Sequence, residues 1–112
     1  MEISEAQSLG FFKKQIFIGE YFGVKNETLW VVMREPGGRE TSKLMTNETA
    51  KANDAFVELL PSLIIDHSFE SDGKKASNEN VAKLILDKGM MYINVFTEYL
   101  NSLPLVQKKP RE

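Results

Sequence analysis

The sequence predicts an α+β domain, predominantly helical, in which an N-terminal β-hairpin packs on about three amphipathic helices. Three observations predict it. Aromatic and β-branched residues crowd the first 33 positions, apolar residues recur at spacings of three and four from Ala52 onward, and Gly and Pro mark the boundaries. With 112 residues and 42% hydrophobic content, the chain suits one core. The expected extent is residues 1–106 as a single globular domain, with 107–112 as a flexible charged tail.

The first strand is expected within QIFIGEYFGV, Gln15 to Val24, where Ile16 and Ile18 share one face and Phe17 takes the other. Gly19 is where it breaks or bulges. Lys25-Asn26-Glu27 connects it to Thr28–Met33, which returns antiparallel. Two strands alone are marginal in water, so helices must cover the hairpin's apolar face. The run LWVVMREPGGRE then ends in a charged corner. Pro36 removes a donor, Gly37-Gly38 read as supplying dihedrals that other residues avoid, and Arg34, Glu35, Arg39 and Glu40 flank them. The segment reads as a strand delivering a charged loop.

The first helix is expected to begin near Thr46-Asn47-Glu48, with Thr46 or Asn47 as the cap and Glu48 at the positive end. Ala52, Ala55, Phe56, Leu59, Leu60 and Leu63 form its apolar stripe. Pro61 lies inside that pattern and is expected to kink or end the helix. Residues 62–70 fit either a second short helix or a strand. Ser71-Asp72-Gly73 is a turn signal. Ser77 starts the next helix, with Asn80 three residues on and Val81, Leu84 and Ile85 as its stripe. Lys88-Gly89 either stops that helix or bends one long helix. The last stripe runs through Tyr92, Val95, Phe96, Tyr99, Leu100 and Leu103 and stops at Pro104.

A net charge of -2 with scattered basic residues argues against nucleic acid, which requires clustered Lys and Arg. The absence of cysteine excludes disulfides, thiolate zinc sites and cysteine nucleophiles. The N-terminus has the wrong order of charges for a secretion signal, and no apolar run approaches the ~20 residues that cross a bilayer. Cytoplasmic placement and no membrane partner are expected. His67, the single histidine, sits beside Asp66. Such a neighbour can orient an imidazole, but adjacent side chains diverge and no nucleophile accompanies them, so a structural or solvated role is expected. Asp72-Gly73-Lys74 lacks the downstream Glu of a calcium loop, and Gly37-Gly38 lacks the Lys-Ser/Thr of a phosphate cradle. No catalytic residue, metal ligand or cofactor is expected.

Phe11, Phe12, Phe17, Tyr21 and Phe22 are expected to form the hairpin's core face as a group, with Phe11 and Phe12 the ones left exposed for a partner. Met90 and Met91 follow Gly89 and suit an adaptable contact surface, although a Met beside a helical stripe is more often core.

The order of features resembles that of the small tail assembly chaperones of long-tailed bacteriophages and prophages. The matching pieces are WVVMREPGGRE, AFVELLPSLIIDHSFE, SDGKKASNENVAKLI and the closing amphipathic helix before a Lys-rich tail. Members of that family carry an R-E-P-x-G-R-E-like turn after a strand, to which Arg34, Glu35, Pro36, Gly38, Arg39 and Glu40 correspond. They also carry an Asp-Gly-Lys turn before a Ser-capped helix, to which Asp72, Gly73, Lys74 and Ser77 correspond. The similarity spans roughly Leu29 to Leu103. It implies a non-catalytic protein of the bacterial host cytoplasm that binds the tape measure protein, helps recruit tail tube protein and self-associates. Phe11, Phe12, Arg34, Glu35, Arg39, Met90 and Met91 are then the candidate partner-binding residues. The family also implies a frameshifted longer form, with Lys108-Lys109 on a slippery run. A structural tail completion or neck component is the alternative, and a small enzyme or ligand-binding domain around Asp66, His67 and the REPGGRE turn a further one.

Overall fold

In a computed structural model of the chain, which describes residues 2–3 and 12–103, the predicted hairpin gains a third strand. β1 (Lys13–Phe17) pairs antiparallel with β2 (Trp30–Arg34), setting Ile16 opposite Val31 and Phe17 opposite Trp30. Side chains alternate along a strand, so Ile16, Val31 and Met33 share one face while Phe17, Trp30 and Val32 share the other. β3 (Ile64–His67) joins the far side of β2, and a bulge opposite Val32 and Met33 leaves Ile65 unpaired.

The first strand is shorter than expected. Ile18 continues the ladder by donating its N–H to the Leu29 carbonyl at 2.8 Å. Gly19–Phe22 then closes into a 3-10 turn that Gly23 ends at φ 75°. Gly19 is required there by space, because a Cβ would lie 2.0 Å from the Lys25 carbonyl oxygen. The aromatic group is divided: Tyr21 and Phe22, carried by this turn, pack against the edge of the core, while Phe12 and Phe17 do not. Ile16 and Ile18 are buried, whereas Phe12 and Phe17 are exposed and Tyr21 and Phe22 half-buried. Phe11 lies outside the described residues, as does the 107–112 tail.

The charged corner is not a loop: helix α1 (Gly38–Leu44) begins in it. Gly37 is extended and Gly38 is not left-handed, so neither supplies the unusual dihedrals expected of them. The helix escaped detection because it is short and buries only Leu44. α2 (Thr49–Leu63) follows, and Glu48 precedes it without a side-chain cap. Thr46 Oγ1 accepts from the Glu48 N–H at 3.3 Å, outside the helix, so neither Thr46 nor Asn47 caps it. Pro61 does not end α2. The donor it lacks is the one that would reach Val57, on an exposed part of the helix where water can satisfy that carbonyl. The chain passes from Leu63 to Ile64 directly into β3.

Residues 64–67 are therefore strand, and a small hairpin follows. β4 (Glu70–Ser71) and β5 (Lys74–Lys75) are joined by Asp72 at φ 55° and Gly73 at φ 78°, the left-handed pair of a two-residue primed turn. α3 (Asn78–Asp87) is capped as expected, with Ser77 Oγ accepting from the Asn80 N–H at 3.1 Å. Lys88, at φ -108° and ψ 104°, separates it from α4 (Gly89–Ser102), so Lys88-Gly89 divides two helices.

α2, α3 and α4 pack against the sheet face carrying Ile16, Val31 and Met33, forming one core with Leu60, Leu63, Ile85, Val95 and Tyr99. Phe56 is its hub, stacked on Phe96 at 4.4 Å between centroids and flanked by Tyr92 and Tyr99. His67 belongs to this framework. It is 3% exposed, its Nδ1 accepts from the Phe69 N–H at 3.1 Å and its Nε2 lies 2.8 Å from the Ala76 carbonyl. Because Nδ1 accepts, the proton sits on Nε2. The imidazole ties β3 to the far side of the β4–β5 hairpin. Asp66 turns away from the ring and pairs with Lys75, accepting also from the His67 N–H at 2.9 Å.

Candidate functional site

The charged corner holds itself together. Arg34 meets Glu40 through two bonds, Nη1 to Oε1 at 3.0 Å and Nη2 to Oε2 at 3.2 Å. Glu40 Oε1 also accepts from the Gly37 N–H at 2.7 Å, closing the first turn of α1. Glu35 Oε1 accepts from the Phe12 N–H at 2.7 Å, extending the β1–β2 pairing by one residue. Buried Tyr99 donates its hydroxyl to the Arg34 carbonyl at 2.7 Å, and burial pushes that phenol up. The REPGGRE segment is thus a strand-to-helix joint locked by its own charges. Of its predicted partner-binding residues, Arg34 and Glu35 are engaged locally and Arg39 is exposed.

The Arg34 guanidinium, helped by the Gly37 N–H, holds the Glu40 carboxyl below its usual range. The folded state therefore gains stability that is present above the ordinary Glu range near 4.5 and lost as pH falls through the lowered folded value. Glu40→Gln is expected to cost about 1–2 kcal/mol at neutral pH, since it removes a bidentate ion pair and weakens a cap. Urea midpoints measured from pH 6 downward check this: the wild type should lose more stability with acid than the Gln variant.

Two apolar surfaces lie elsewhere. The first is the sheet face turned away from the helices, where Phe17 and Trp30 form a directly opposed cross-strand pair beside Val32. Phe17 is 39% exposed and Ile65, thrown out by the bulge, 41%. The second runs along the outside of α4, where Met90 is 65% exposed and Ile93 51%. Met91, one residue on, faces the opposite way and is 1% exposed, so it is a core residue and not a contact surface. Of the paired methionines only Met90 reaches solvent.

Two surface cavities do not gather the candidate chemistry. One of about 370 Å³ lies between α1 and α2, lined by Ser42, Lys43, Thr46, Lys51, Asp54 and Glu58. Another of about 230 Å³ lies between the β4–β5 hairpin and α3, lined by Phe69, Ala76, Val81 and Leu84 among others. Neither contains Asp66, His67 or a residue of the Arg34–Arg39 corner. Among the described residues no group of three His, Asp or Glu side chains could hold a metal ion, and no helix is long and apolar enough to cross a membrane.

The predicted site residues are therefore dispersed. Phe12 lies at the start of β1, Arg34, Glu35 and Arg39 at the β2–α1 joint, and Met90 at the start of α4. Sequence reasoning missed Phe17, Trp30, Val32 and Ile65 as one surface. A signal for it was present in Trp30–Met33, whose alternate positions are apolar on both faces, which a strand covered on one side does not need. Comparison of the chain with family models, with curated proteins and with solved structures finds no match.

Proposed function

We propose that this chain is a non-catalytic tail assembly chaperone of the phage or prophage type. It keeps the long, apolar tape measure protein soluble in the bacterial cytoplasm and assists its meeting with tail tube protein. The observation that carries the proposal is the outward sheet face, where exposed Phe17 and Ile65 accompany half-buried Trp30 and Val32 on a three-stranded sheet. A partly exposed apolar patch on a small domain fits a protein partner. The motif resemblance supports the same reading from the sequence side, because both of its turns have definite work in the fold. Arg34 and Glu40 lock one, and Asp72-Gly73 make the other.

Co-expression with the product of the adjacent very long gene tests it. That product is expected in the soluble fraction only when this chain is present. Phe17→Asp or Val32→Asp should weaken the complex about tenfold or more, by charging the apolar face. Trp30 is the single tryptophan, so its emission reports directly on this surface and should shift to the blue on binding. A partner that stays insoluble with the chain present, or an unchanged emission in a purified complex, overturns the assignment.

A further inference from the structure

The three-stranded sheet ends differently on its two sides. Beyond β3, where α3 packs alongside, side chains meet two backbone groups. Asn78 Nδ2 donates to the Ile64 carbonyl at 2.9 Å, and the His67 N–H donates to Asp66 Oδ1 at 2.9 Å. At the other edge β1 pairs only with β2 among the described residues. The register fixes which of its groups are spent. Phe12 accepts from the Glu35 N–H and Ile18 donates to the Leu29 carbonyl, both at 2.8 Å. Bonds in an antiparallel ladder alternate, so Lys14 and Ile16 also face β2, while Lys13, Gln15 and Phe17 turn their N–H and C=O groups outward. All three residues are exposed. An open edge of this kind is a template for another strand.

The chemistry of the edge specifies its occupant. Donors and acceptors that repeat every two residues match the backbone of an extended polypeptide. Side chains of such a strand fall alternately on the two sides of the sheet. On the outer side they would join Phe17, Trp30 and Val32, an apolar surface. On the inner side they would meet the polar flank of α4, where Glu98 lies 3.7 Å from Lys14 Nζ and Asn94 donates to the Tyr21 hydroxyl. Lys13 stands at the start of the edge with no ion pair among the described residues. A lysine there discourages indiscriminate pairing and favours a strand that carries an acid beside it. The geometry points to β1 as the seat of an extended client segment, added to the sheet as a fourth strand. That segment is apolar at alternate positions, polar between them and acidic beside Lys13. The inference rests on the chaperone reading and names the form in which the client is held. Main-chain bonds read little sequence, so one edge serves a long chain at many places.

Amide hydrogen exchange followed by NMR tests it, with short overlapping peptides from the product of the adjacent very long gene as the probe. On binding, the Lys13, Gln15 and Phe17 amides should exchange about tenfold or more slowly than in the free chain, with Lys14 and Ile16 little changed. That alternation separates an added strand from a partner laid on the sheet face. Gln15→Pro removes one outward donor and no bond to β2, the kind of edge position where a strand admits proline. Its affinity for the peptides should fall about tenfold or more. Gln15→Ala, which keeps the donor, should bind as the wild type does, and circular dichroism confirms that both variants are folded. Should the Pro variant unfold, the exchange pattern of the wild type decides alone. Uniform slowing along β1, slow exchange of the same three amides in the free chain, or a folded Pro variant of undiminished affinity overturns strand addition and leaves the chaperone reading in place. Peptides that do not bind overturn it too, and the chaperone reading falls with it only if the full-length product also stays insoluble beside the chain.

Discussion

Phe56→Ala is expected to destabilise the domain by about 3–5 kcal/mol, the range for deleting a buried aromatic ring. Small domains have total stabilities of about 5–15 kcal/mol, so the variant should be largely or marginally unfolded. The reason is the position of the ring. Phe56 is fully buried on α2, and it joins α2 to α4 by stacking on Phe96 and meeting Tyr92 and Tyr99. Removing it takes the support from three other aromatic side chains together. Two of those rings are anchored at their far ends, Tyr92 to Asn53 and Tyr99 to the Arg34 carbonyl, so they cannot simply collapse into the space. Phe56→Leu, which keeps much of the volume, should cost about half as much. Urea unfolding followed by circular dichroism measures both, and an Ala variant with an unchanged midpoint would contradict the packing described for this cluster.

Gly19→Ala is expected to have the second largest effect, although it adds only one methyl group, in the turn just past the end of β1. The added carbon would lie 2.0 Å from the Lys25 carbonyl oxygen and 2.9 Å from the Asn26 Cα, so the obstruction is backbone and cannot swing aside. Gly19 is not left-handed, and the constraint is therefore steric and not dihedral. Overpacking of a tight site costs about 1–3 kcal/mol, and a backbone obstacle belongs at or above the upper end. The loop from Gly19 to Lys25 would have to open, breaking the Val24 N–H bond to the Gly19 carbonyl. Gly38→Ala is the matched control. A Cβ there meets nothing within 4 Å, and alanine favours the helix it begins, so stability should hold or rise by about 0.5 kcal/mol. Equal effects of the two substitutions would show that the Gly19–Lys25 crossing is not as tight as described.

Much of this fold was legible because it is written in local patterns. The stripe from Ala52 to Leu63 predicted α2, Ser77 predicted the cap of α3, and Asp72-Gly73 predicted a turn that both residues enter in the left-handed region. The hairpin was visible in Ile16, Ile18 and the Trp30–Met33 run. What was not legible depends on contacts made at a distance. Ile64–His67 became a strand because β2 offered an open edge, a fact that no local periodicity carries. α1 was hidden because two glycines read as a turn, while its decisive residue, Glu40, acts by reaching Arg34 and the Gly37 N–H. Pro61 did not end α2, because the cost of a missing donor depends on whether the orphaned carbonyl is wet. The candidate surfaces were the least legible part. Met90 and Met91 are neighbours in sequence and opposites in burial, and only the rotation of α4 within the core decides which one meets solvent.

Val31 and Met33 are buried in the core, while Trp30 and Val32, their neighbours along β2, are half-buried on the other face of the sheet. One strand thus carries two independent sets of side chains, so substitutions in the outer set can change what the sheet meets without rewriting the core.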